Sequence, residues 1–421
     1  MRLTVEPSFS GGSITAPSSK SAMQRYVACA LLAEGTSEIL NPSYCDDARA
    51  AIGMAECLGA DISKLPGRII IQGGFKPQCN KLFCGESGLG ARVFSVLAAL
   101  HDDWIEIRGE GSILSRPFNM LADTLRPMGV DVRSDRDLLP IKIKGPIKGG
   151  TAMVDGSVSS QFLSGLLLAL PFVENDSHLI VNKLSSKPYI DLTIQVLNDF
   201  GISIDNRDYR SFFIAGAQKY KPGTYRVEGD WSGAAFLLVL GAVAGNIEVR
   251  GLHPSSTQSD KYIVDLLKRA GAHVTVNDYS VKVKKNRLDS FIADISDCPD
   301  LAPPLAVLAS FCNGKTILTG TGRLKVKESD RGKVLEKELG KMGVKIVNYD
   351  NHMEIAGPSE IIGGMCDSHG DHRIAMALVT LAAGAEKKID LSGAEAVNKS
   401  YPDFYDHMRG LGISISKLKN V

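Results

Sequence analysis

The stretch Glu56-Cys57-Leu58-Gly59-Ala60-Asp61-Ile62-Ser63, "ECLGADIS", joins an amphipathic helical pattern to a short run of alternating apolar and polar residues. A glycine that follows an apolar residue at the end of a helix typically adopts the left-handed conformation that closes the helix. Alternation with a period of two is typical of a half-buried strand. The stretch therefore predicts a helix that closes at Gly59 and passes directly into a strand.

The same pattern recurs five more times along the 421-residue chain. The later copies are "LRPMGVDVR", "LNDFGISID", "LKRAGAHVT", "LGKMGVKIV" and "MRGLGISIS", with their glycines at Gly129, Gly201, Gly271, Gly343 and Gly412. Counted from Gly59, successive glycines are 70, 72, 70, 72 and 69 residues apart. Such regular spacing indicates six copies of one structural unit.

A second series of segments, rich in Ala and Leu, runs in step with the first and predicts one buried helix in each repeat. These helices are expected to begin at Ser19-Lys20-Ser21, Glu86-Ser87-Gly88, Ser159-Ser160-Gln161, Asp230-Trp231-Ser232, Asp300 and Asp371-His372-Arg373. Six such units predict a two-domain α/β protein with three units per domain and a boundary near "YRVEGDWSG". In equivalent repeats the helix N-termini would lie at one end of each domain and face the cleft between the domains.

Several of these helix starts carry cations, namely Lys20, Arg25, Arg92 and Arg373. A helix N-terminus already has unpaired N–H groups and partial positive charge, so further cations there are unfavourable unless an anion binds. Ordinary capping by Ser and Asp explains Ser159 and Asp300 adequately, but it does not explain the cations. The pattern favours binding of phosphate or carboxylate groups.

The composition excludes several other classes of protein. With 48 basic and 47 acidic residues, a net charge of +1 and 6% aromatic residues, the chain lacks the basic, aromatic surface of a nucleic-acid binder. No apolar run approaches membrane-spanning length, and the first residues have no apolar core of a secretory signal. The eight cysteines form no CxxC pair, so we expect buried free thiols in the cytoplasm and no metal site.

At "PSSKSAMQR", "DGSVSSQF", "SSKPYID", "KVKESDR", "GDHR" and "NKSYPDF" the chain resembles the 5-enolpyruvylshikimate-3-phosphate synthases, in the enolpyruvyl transferase family. The resemblance covers essentially the whole chain in the right order. It implies two similar domains of three βαββαβ units each, which close over the substrates. The first domain, 19–227, would mainly bind shikimate 3-phosphate. The second, 1–18 with 228–421, would carry the catalytic carboxylates and the phosphoenolpyruvate cations.

The resemblance implies transfer of the enolpyruvyl group of phosphoenolpyruvate to the 5-hydroxyl of shikimate 3-phosphate, with glyphosate as a competitor. Asp300 would take the hydroxyl proton, Glu328 would protonate the methylene carbon, and Lys20 would assist. Shikimate-3-phosphate binding is implied for Lys20, Ser21, Arg25, Ser159, Ser160, Gln161, Ser186, Tyr189, Asp300, Arg323 and Lys327. Phosphoenolpyruvate binding is implied for Lys20, Gly88, Arg116, Gln161, Arg331, His372, Arg373 and Lys399. We expect no cofactor, no nucleic-acid or membrane partner, and a monomer.

The sequence departs from the family pattern at two places. The common "GNAGTAxR" reads "GESGLGAR", which puts Glu86 in place of an Asn, and Arg323 stands where an Asn is often found. A sister transferase acting on UDP-N-acetylglucosamine typically has a reactive Cys where this chain has Gly111, and it lacks the Ser-Ser-Gln signature. A phosphate-binding scaffold without catalysis, or a binder of RNA ends, is the alternative from a different class. His372 is interpreted as an orienting group rather than one that transfers a proton.

Overall fold

The structure, a computed structural model, describes residues 1–157 and 159–418. Twelve α-helices lie within these ranges. They are α1 (Lys20–Leu32), α2 (Asp46–Cys57), α3 (Gly88–Ala98), α4 (Asn119–Leu125), α5 (Gln161–Ala169), α6 (Lys187–Asp199), α7 (Trp231–Ala244), α8 (Ile263–Arg269), α9 (Ala302–Ser310), α10 (Arg331–Lys341), α11 (His372–Ala382) and α12 (Phe404–Gly410). Short 3₁₀ helices span Gly111–Ser115, Arg126–Met128, Leu170–Phe172, Ser259–Tyr262, Pro299–Leu301, Thr321–Val326 and Ala394–Lys399.

The same part of the chain forms 24 strands. The first fourteen are β1 (Arg2–Glu6), β2 (Gly12–Thr15), β3 (Gly35–Leu40), β4 (Asp61–Leu65), β5 (Arg68–Gly73), β6 (Lys81–Phe83), β7 (Ile105–Arg108), β8 (Asp131–Asp135), β9 (Leu138–Lys144), β10 (Gly150–Asp155), β11 (Ser177–Asn182), β12 (Asp205–Arg207), β13 (Ser211–Ile214) and β14 (Thr224–Arg226). The others are β15 (Asn246–Arg250), β16 (His273–Val276), β17 (Ser280–Lys284), β18 (Ile292–Asp294), β19 (Gly314–Thr319), β20 (Lys345–Asn348), β21 (His352–Gly357), β22 (Gly364–Asp367), β23 (Ile389–Ser392) and β24 (Ser414–Lys417).

The chain divides into two compact units, each with its own apolar core. One unit consists of Ser18–Glu228, and the other combines Met1–Pro17 with Gly229–Val421. Each contains three four-stranded sheets. The sheets of the first unit have the orders β14-β3-β5-β4, β6-β7-β9-β8 and β10-β11-β13-β12. Those of the second have the orders β2-β15-β17-β16, β18-β19-β21-β20 and β22-β23-β1-β24.

In all six sheets, read in these orders, the first two strands are parallel and the other neighbours are antiparallel. A parallel pair needs a crossover, and a buried helix such as α3, between β6 and β7, provides it. An amphipathic helix and a hairpin follow, so each complete repeat has the order βαβαββ. The predicted α/β class, with three similar repeats in each of the two compact units, is confirmed. The expected order βαββαβ is wrong, because the second helix precedes the hairpin.

The first two strands of the chain belong with the C-terminal half. Strand β1 lies between β23 and β24, with Thr4 opposite both Asp390 and Ser416. Strand β2, which precedes α1, pairs with β15, whereas β14, which precedes α7, pairs with β3. The unit that contains Gly229–Val421 is therefore complete only with the N-terminal residues.

The helix-ending glycines and the buried apolar helices predicted from the sequence are both present in the structure. The six repeat glycines, Gly59, Gly129, Gly201, Gly271, Gly343 and Gly412, all have positive φ between 75° and 114°. Each closes a helical segment ahead of β4, β8, β12, β16, β20 or β24. The buried helices are apolar nearly all round: in α7 only Ser232 and Ala244 are not fully buried. No helix in the described ranges is long and apolar enough to span a membrane.

We predict that Leu3→Ala destabilises the unit containing β1, because Leu3 is buried in a central strand. Truncating a buried leucine costs about 2–5 kcal/mol of unfolding free energy. The two tryptophans lie in different units, Trp104 in one and Trp231 in the other. The test uses a Trp104→Phe background, in which Trp231 is the remaining tryptophan. There, urea unfolding followed by Trp231 fluorescence should have a lower midpoint with Leu3→Ala than without it. Arg2→Ala, at an exposed neighbouring site, is the control, and equal midpoints for the two variants would contradict the prediction.

Candidate functional site

The first turns of α1 hold two of the cations singled out in the sequence. Ser19 caps the helix by accepting the backbone N–H of Ala22 at 3.3 Å. Lys20 is the first helical residue, and its Nζ lies 3.0 Å from Oδ2 of Asp47, a residue of α2. The Lys20 ammonium is thus fixed at the N-terminus of α1 by a nearly buried carboxylate.

Arg25, one turn further along α1, is buried, and its guanidinium donates to uncharged acceptors. It donates to the Ser21 carbonyl at 2.7 Å, Thr193 Oγ1 at 2.8 Å, the Tyr189 carbonyl at 3.1 Å and Ser164 Oγ at 3.4 Å. Burial lowers the pKa of Arg25 to about 10, so the group stays charged at neutral pH. Within residues 1–157 and 159–418, no carboxylate forms an ion pair with it, and an incoming anion would be stabilised there.

A second cationic cluster surrounds Gly88 at the start of α3. A Cβ placed on Gly88 would lie 3.0 Å from Arg116 Nη1 and 3.3 Å from both Arg92 Nη1 and Gln161 Oε1. Arg92 also donates to Gln161 Oε1 and to the Pro117 carbonyl, both at 3.1 Å. Burial, followed by repulsion from Arg116, lowers the pKa of Arg92 to about 10. The backbone of Gly88 thus faces two guanidinium groups and one amide.

The serine-rich segments lie at the starts of α5 and α6. Ser159 Oγ accepts the Gln161 backbone N–H at 3.2 Å, and buried Ser160 precedes the first residue of α5. Ser186, also buried, precedes α6 with a φ of +55°. Tyr189 follows in the first turn of α6, and its carbonyl is one of the acceptors of Arg25. The structure therefore joins Ser21, Tyr189 and Arg25 directly through hydrogen bonds.

The other unit has a charged cluster of its own, centred on the Arg331 guanidinium, whose side chain is 0% exposed. Its Nη1 lies 2.9 Å from Asp300 Oδ1, its Nη2 lies 2.6 Å from Glu328 Oε2, and its Nε lies 2.9 Å from Asp371 Oδ2. Burial alone would lower the pKa of Arg331, but Asp371, Glu328 and Asp300 outweigh it and raise the pKa. The guanidinium holds the two carboxylates implied in catalysis together with a third.

Asp300 is held by three cations. Besides Arg331, Lys327 Nζ lies 3.3 Å from its Oδ1, and Arg373 Nη2 lies 3.0 Å from its Oδ2. Burial alone would raise the pKa of Asp300, but Arg373, Lys327 and Arg331 outweigh it and hold the pKa well below its usual range. Asp300 lies in the first turn of the 3₁₀ helix Pro299–Leu301, which runs directly into α9. Its three ion pairs are contacts that capping alone would not require.

Lys327, which contacts Asp300, directly follows a 3₁₀ segment that carries another cation, Arg323. Burial is the main cause that lowers the pKa of Lys327, with Arg331 and Arg323 adding to it and Asp300 opposing it. Arg323 lies on the 3₁₀ segment just before Lys327 and donates to the Ser296 carbonyl at 3.4 Å. Arg373 is buried in the first turn of α11.

His372 and Lys399 are both buried. His372 Nδ1 lies 3.8 Å from Asp371 Oδ1, and Lys399 ends the 3₁₀ helix Ala394–Lys399, which packs on α11. Glu328, Asp371 and His372 lie close enough together to hold a metal ion. A metal ion there would have to displace Arg331, which already contacts both carboxylates.

Sequence reasoning did not assign three residues that the structure places in these clusters. Asp47 pairs with Lys20, Asp371 pairs with Arg331, and Arg92 joins Arg116 and Gln161. A signal existed for Arg92, a cation in the first turn of a predicted helix. Asp371 begins a predicted helix, and it does cap α11 by accepting the Arg373 N–H at 2.9 Å. Its ion pair with Arg331, 40 residues away, leaves no local trace in the sequence.

Comparison with known proteins decides the family. Residues 7–408 match the family described as EPSP synthase (3-phosphoshikimate 1-carboxyvinyltransferase). The chain belongs to the EPSP synthase family. The family resemblance inferred from the sequence motifs is confirmed.

Individual relatives of this EPSP synthase family member match along nearly their whole length. A 3-phosphoshikimate 1-carboxyvinyltransferase of Clostridium kluyveri is 37% identical over 418 residues, which cover 99% of this chain and 98% of that protein. Another from Clostridium acetobutylicum is 38% identical over 423 residues, with 97% and 96% covered. A solved EPSP synthase of Acinetobacter baumannii has a TM-score of 0.83 at 25% identity, with 99% and 100% covered. The enolpyruvyl transferase NikO from Streptomyces tendae shares the fold, with a TM-score of 0.81, 16% identity, and 100% and 99% covered.

We predict a pH-dependent effect for Asp260→Asn near this site. Asp260 is buried and accepts a hydrogen bond from Ser232 Oγ, and burial followed by repulsion from Asp300 raises its pKa to about 6. The pKa of Asp260 in the folded protein exceeds the unfolded value of about 3.9. The contribution of Asp260 to the unfolding free energy is therefore complete below about pH 4 and is lost as the pH rises through 6. Asparagine stays neutral at every pH. The unfolding free energy of the variant, relative to that of the wild type, should therefore rise by about 2–3 kcal/mol from pH 4 to pH 8.

Urea unfolding at the two pH values measures this difference, and exposed Asp265→Asn is the control. A stability difference between Asp260→Asn and the wild type that does not change with pH would contradict the prediction.

Proposed function

We propose that this chain is a 3-phosphoshikimate 1-carboxyvinyltransferase. It transfers the enolpyruvyl group of phosphoenolpyruvate to the 5-hydroxyl of shikimate 3-phosphate and releases phosphate, a step in aromatic amino acid biosynthesis. The observation that carries the proposal is the cluster in which one buried Arg331 holds Asp300 and Glu328, in a member of the EPSP synthase family. This reaction needs a base for a hydroxyl proton and an acid for a carbon atom.

The substrates together carry two phosphate and two carboxylate groups, so binding requires several cations. We propose that shikimate 3-phosphate is bound by Lys20, Ser21, Arg25, Ser159, Ser160, Gln161, Ser186, Tyr189, Asp300, Arg323 and Lys327. We propose that phosphoenolpyruvate is bound by Lys20, Gly88, Arg116, Gln161, Arg331, His372, Arg373 and Lys399. Arginine suits these tasks because its planar guanidinium can donate two parallel hydrogen bonds to one oxyanion.

In the chemical step, Asp300 takes the proton of the attacking 5-hydroxyl while Glu328 delivers a proton to the methylene carbon. The hydroxyl oxygen bonds to the central carbon of phosphoenolpyruvate and gives a tetrahedral adduct. Loss of phosphate and of one methyl proton then restores the double bond. Lys20 stabilises the negative charge of the phosphate and the adduct.

The ion pairs of Asp300 explain how binding and basicity are linked. Lys327, Arg331 and Arg373 hold the pKa of Asp300 well below its usual range, which makes the carboxylate a weak base. Substrate phosphate and carboxylate groups compete for the same cations, and each contact they take from Asp300 raises its pKa. The base therefore becomes stronger when the anionic substrates are bound.

We also propose that the protein works as a cytoplasmic monomer on small-molecule substrates. All eight cysteines are free and seven are buried, as expected in a reducing compartment. Size-exclusion chromatography with light scattering measures the oligomeric state.

A phosphate-release assay tests the proposed function. Phosphate should appear only when phosphoenolpyruvate and shikimate 3-phosphate are both present. Replacing shikimate 3-phosphate by UDP-N-acetylglucosamine should abolish the signal. Release with the nucleotide sugar, or no release with shikimate 3-phosphate, would contradict the proposal.

Asp300→Asn tests the base. An amide accepts no proton near neutral pH, so turnover should fall by about a hundredfold or more while the shikimate-3-phosphate affinity stays within about tenfold. Asp297→Asn removes an exposed carboxylate three residues away and should retain wild-type turnover. Turnover of Asp300→Asn within threefold of the wild type would refute the assignment.

Gly88→Ala tests the approach of phosphoenolpyruvate to the start of α3. The new methyl would meet the ends of three flexible side chains, so the variant should fold with displaced cations. We expect the KM for phosphoenolpyruvate to rise at least about fivefold, near 1 kcal/mol, and inhibition by glyphosate to weaken still more. Gly53→Ala, where a Cβ meets nothing within 4 Å, is the matched control. Unchanged constants for both ligands would leave Gly88 with only a structural role at the start of α3.

A further inference from the structure

Glu86, which replaces the common asparagine of the family pattern, contacts the segment that leads to Arg116. Its Oε2 accepts the Ser112 backbone N–H at 3.2 Å and the Ser112 hydroxyl at 2.7 Å. Ser112 lies at the start of the 3₁₀ helix Gly111–Ser115, and Arg116 follows directly. A carboxylate at this end of the segment accepts N–H groups that the helix itself leaves unpaired.

The Glu86 carboxylate lies so close to Gly111 that a larger residue would not fit at position 111. Gly111 has a φ of +60°, and a Cβ there would overlap the Glu86 carboxylate. The backbone N–H of Glu110 donates to the Gly85 carbonyl at 3.0 Å, beside the same contact. The beginning of the segment is therefore fixed to the residues just before α3 by backbone and side-chain hydrogen bonds.

The far end of the segment is held by a second charged residue. Arg92 Nη2 donates to the Pro117 carbonyl at 3.1 Å, and the Arg116 backbone N–H donates to the Ile113 carbonyl at 3.1 Å. Burial, followed by repulsion from Arg116, lowers the pKa of Arg92, so the two guanidinium groups repel each other. The contacts at both ends of the segment oppose this repulsion.

We propose that Glu86 is a positioning residue that holds Arg116 in place to bind the anionic groups of phosphoenolpyruvate. The inference rests on the proposed function and goes beyond it by giving a role to a residue outside the binding set. Glu86 acts through Ser112 and the segment Gly111–Ser115. Its removal should affect phosphoenolpyruvate more than shikimate 3-phosphate.

Steady-state kinetics of Glu86→Ala, Glu86→Gln and Glu110→Ala test the inference. Loss of hydrogen bonds to a charged group should raise the KM for phosphoenolpyruvate about tenfold in Glu86→Ala and leave the KM for shikimate 3-phosphate within twofold. Glutamine keeps an acceptor oxygen for Ser112, so Glu86→Gln should lie within threefold of the wild type. Glu110→Ala removes an exposed carboxylate next to the segment and should match the wild type.

Two kinetic results would overturn the inference. One is an unchanged phosphoenolpyruvate KM in Glu86→Ala, and the other is an equal rise in both KM values. A Glu86→Gln variant as impaired as Glu86→Ala would also overturn it, because the Ser112 contact would then not be what matters. An inactive wild type would count against the proposed function instead. In that case a crystal structure of Glu86→Ala still decides: a displaced Arg116 supports the role of Glu86, and an unmoved Arg116 refutes it.

Discussion

The charged cluster of the unit that contains Gly229–Val421 depends on the buried Arg331 guanidinium. It joins carboxylates from three segments: Asp300 from the 3₁₀ turn before α9, Glu328 from the loop before α10, and Asp371 from the start of α11. Arginine keeps its charge even when buried, so the three carboxylates retain a permanent counter-ion. Removing one partner of a buried ion pair typically costs about 3–5 kcal/mol, which makes the arrangement strongly specified. The proposed base, Asp300, and the proposed acid, Glu328, are thus fixed relative to each other through one shared cation.

The other unit uses its buried cations differently. Arg25 and Arg92 donate mainly to carbonyl, hydroxyl and amide oxygens, and burial lowers the pKa of each to about 10. Uncharged acceptors orient a guanidinium without neutralising it, so positive potential is kept for an anionic ligand. The chain as a whole has a net charge of only +1, and the recognition of anions comes from this local distribution. Three carboxylates surround Arg331, where we propose that protons are transferred.

The sequence could predict whatever is encoded locally. The six repeat glycines and the apolar helices specify turns, helix ends and strands within a few residues, and the motifs identified the family. The pairing of the strands could not be obtained this way, because the parallel pairing of β6 with β7 joins residues on both sides of α3. The insertion of β1 between β23 and β24 joins positions almost 400 residues apart. For the same reason, the contacts of Asp47 and Asp371 became visible only in the folded chain.

The central claim is that a carboxylate pair held by Arg331 moves protons during enolpyruvyl transfer. Proton NMR in D₂O tests it most directly, with phosphoenolpyruvate, shikimate 3-phosphate and either the wild type or Glu328→Gln. The wild type should form a new enol ether and incorporate deuterium into the vinyl methylene group, because Glu328 delivers a solvent-derived proton to that carbon. Glu328→Gln should slow both processes together. An enol ether free of deuterium, or undiminished incorporation in Glu328→Gln, would contradict the account.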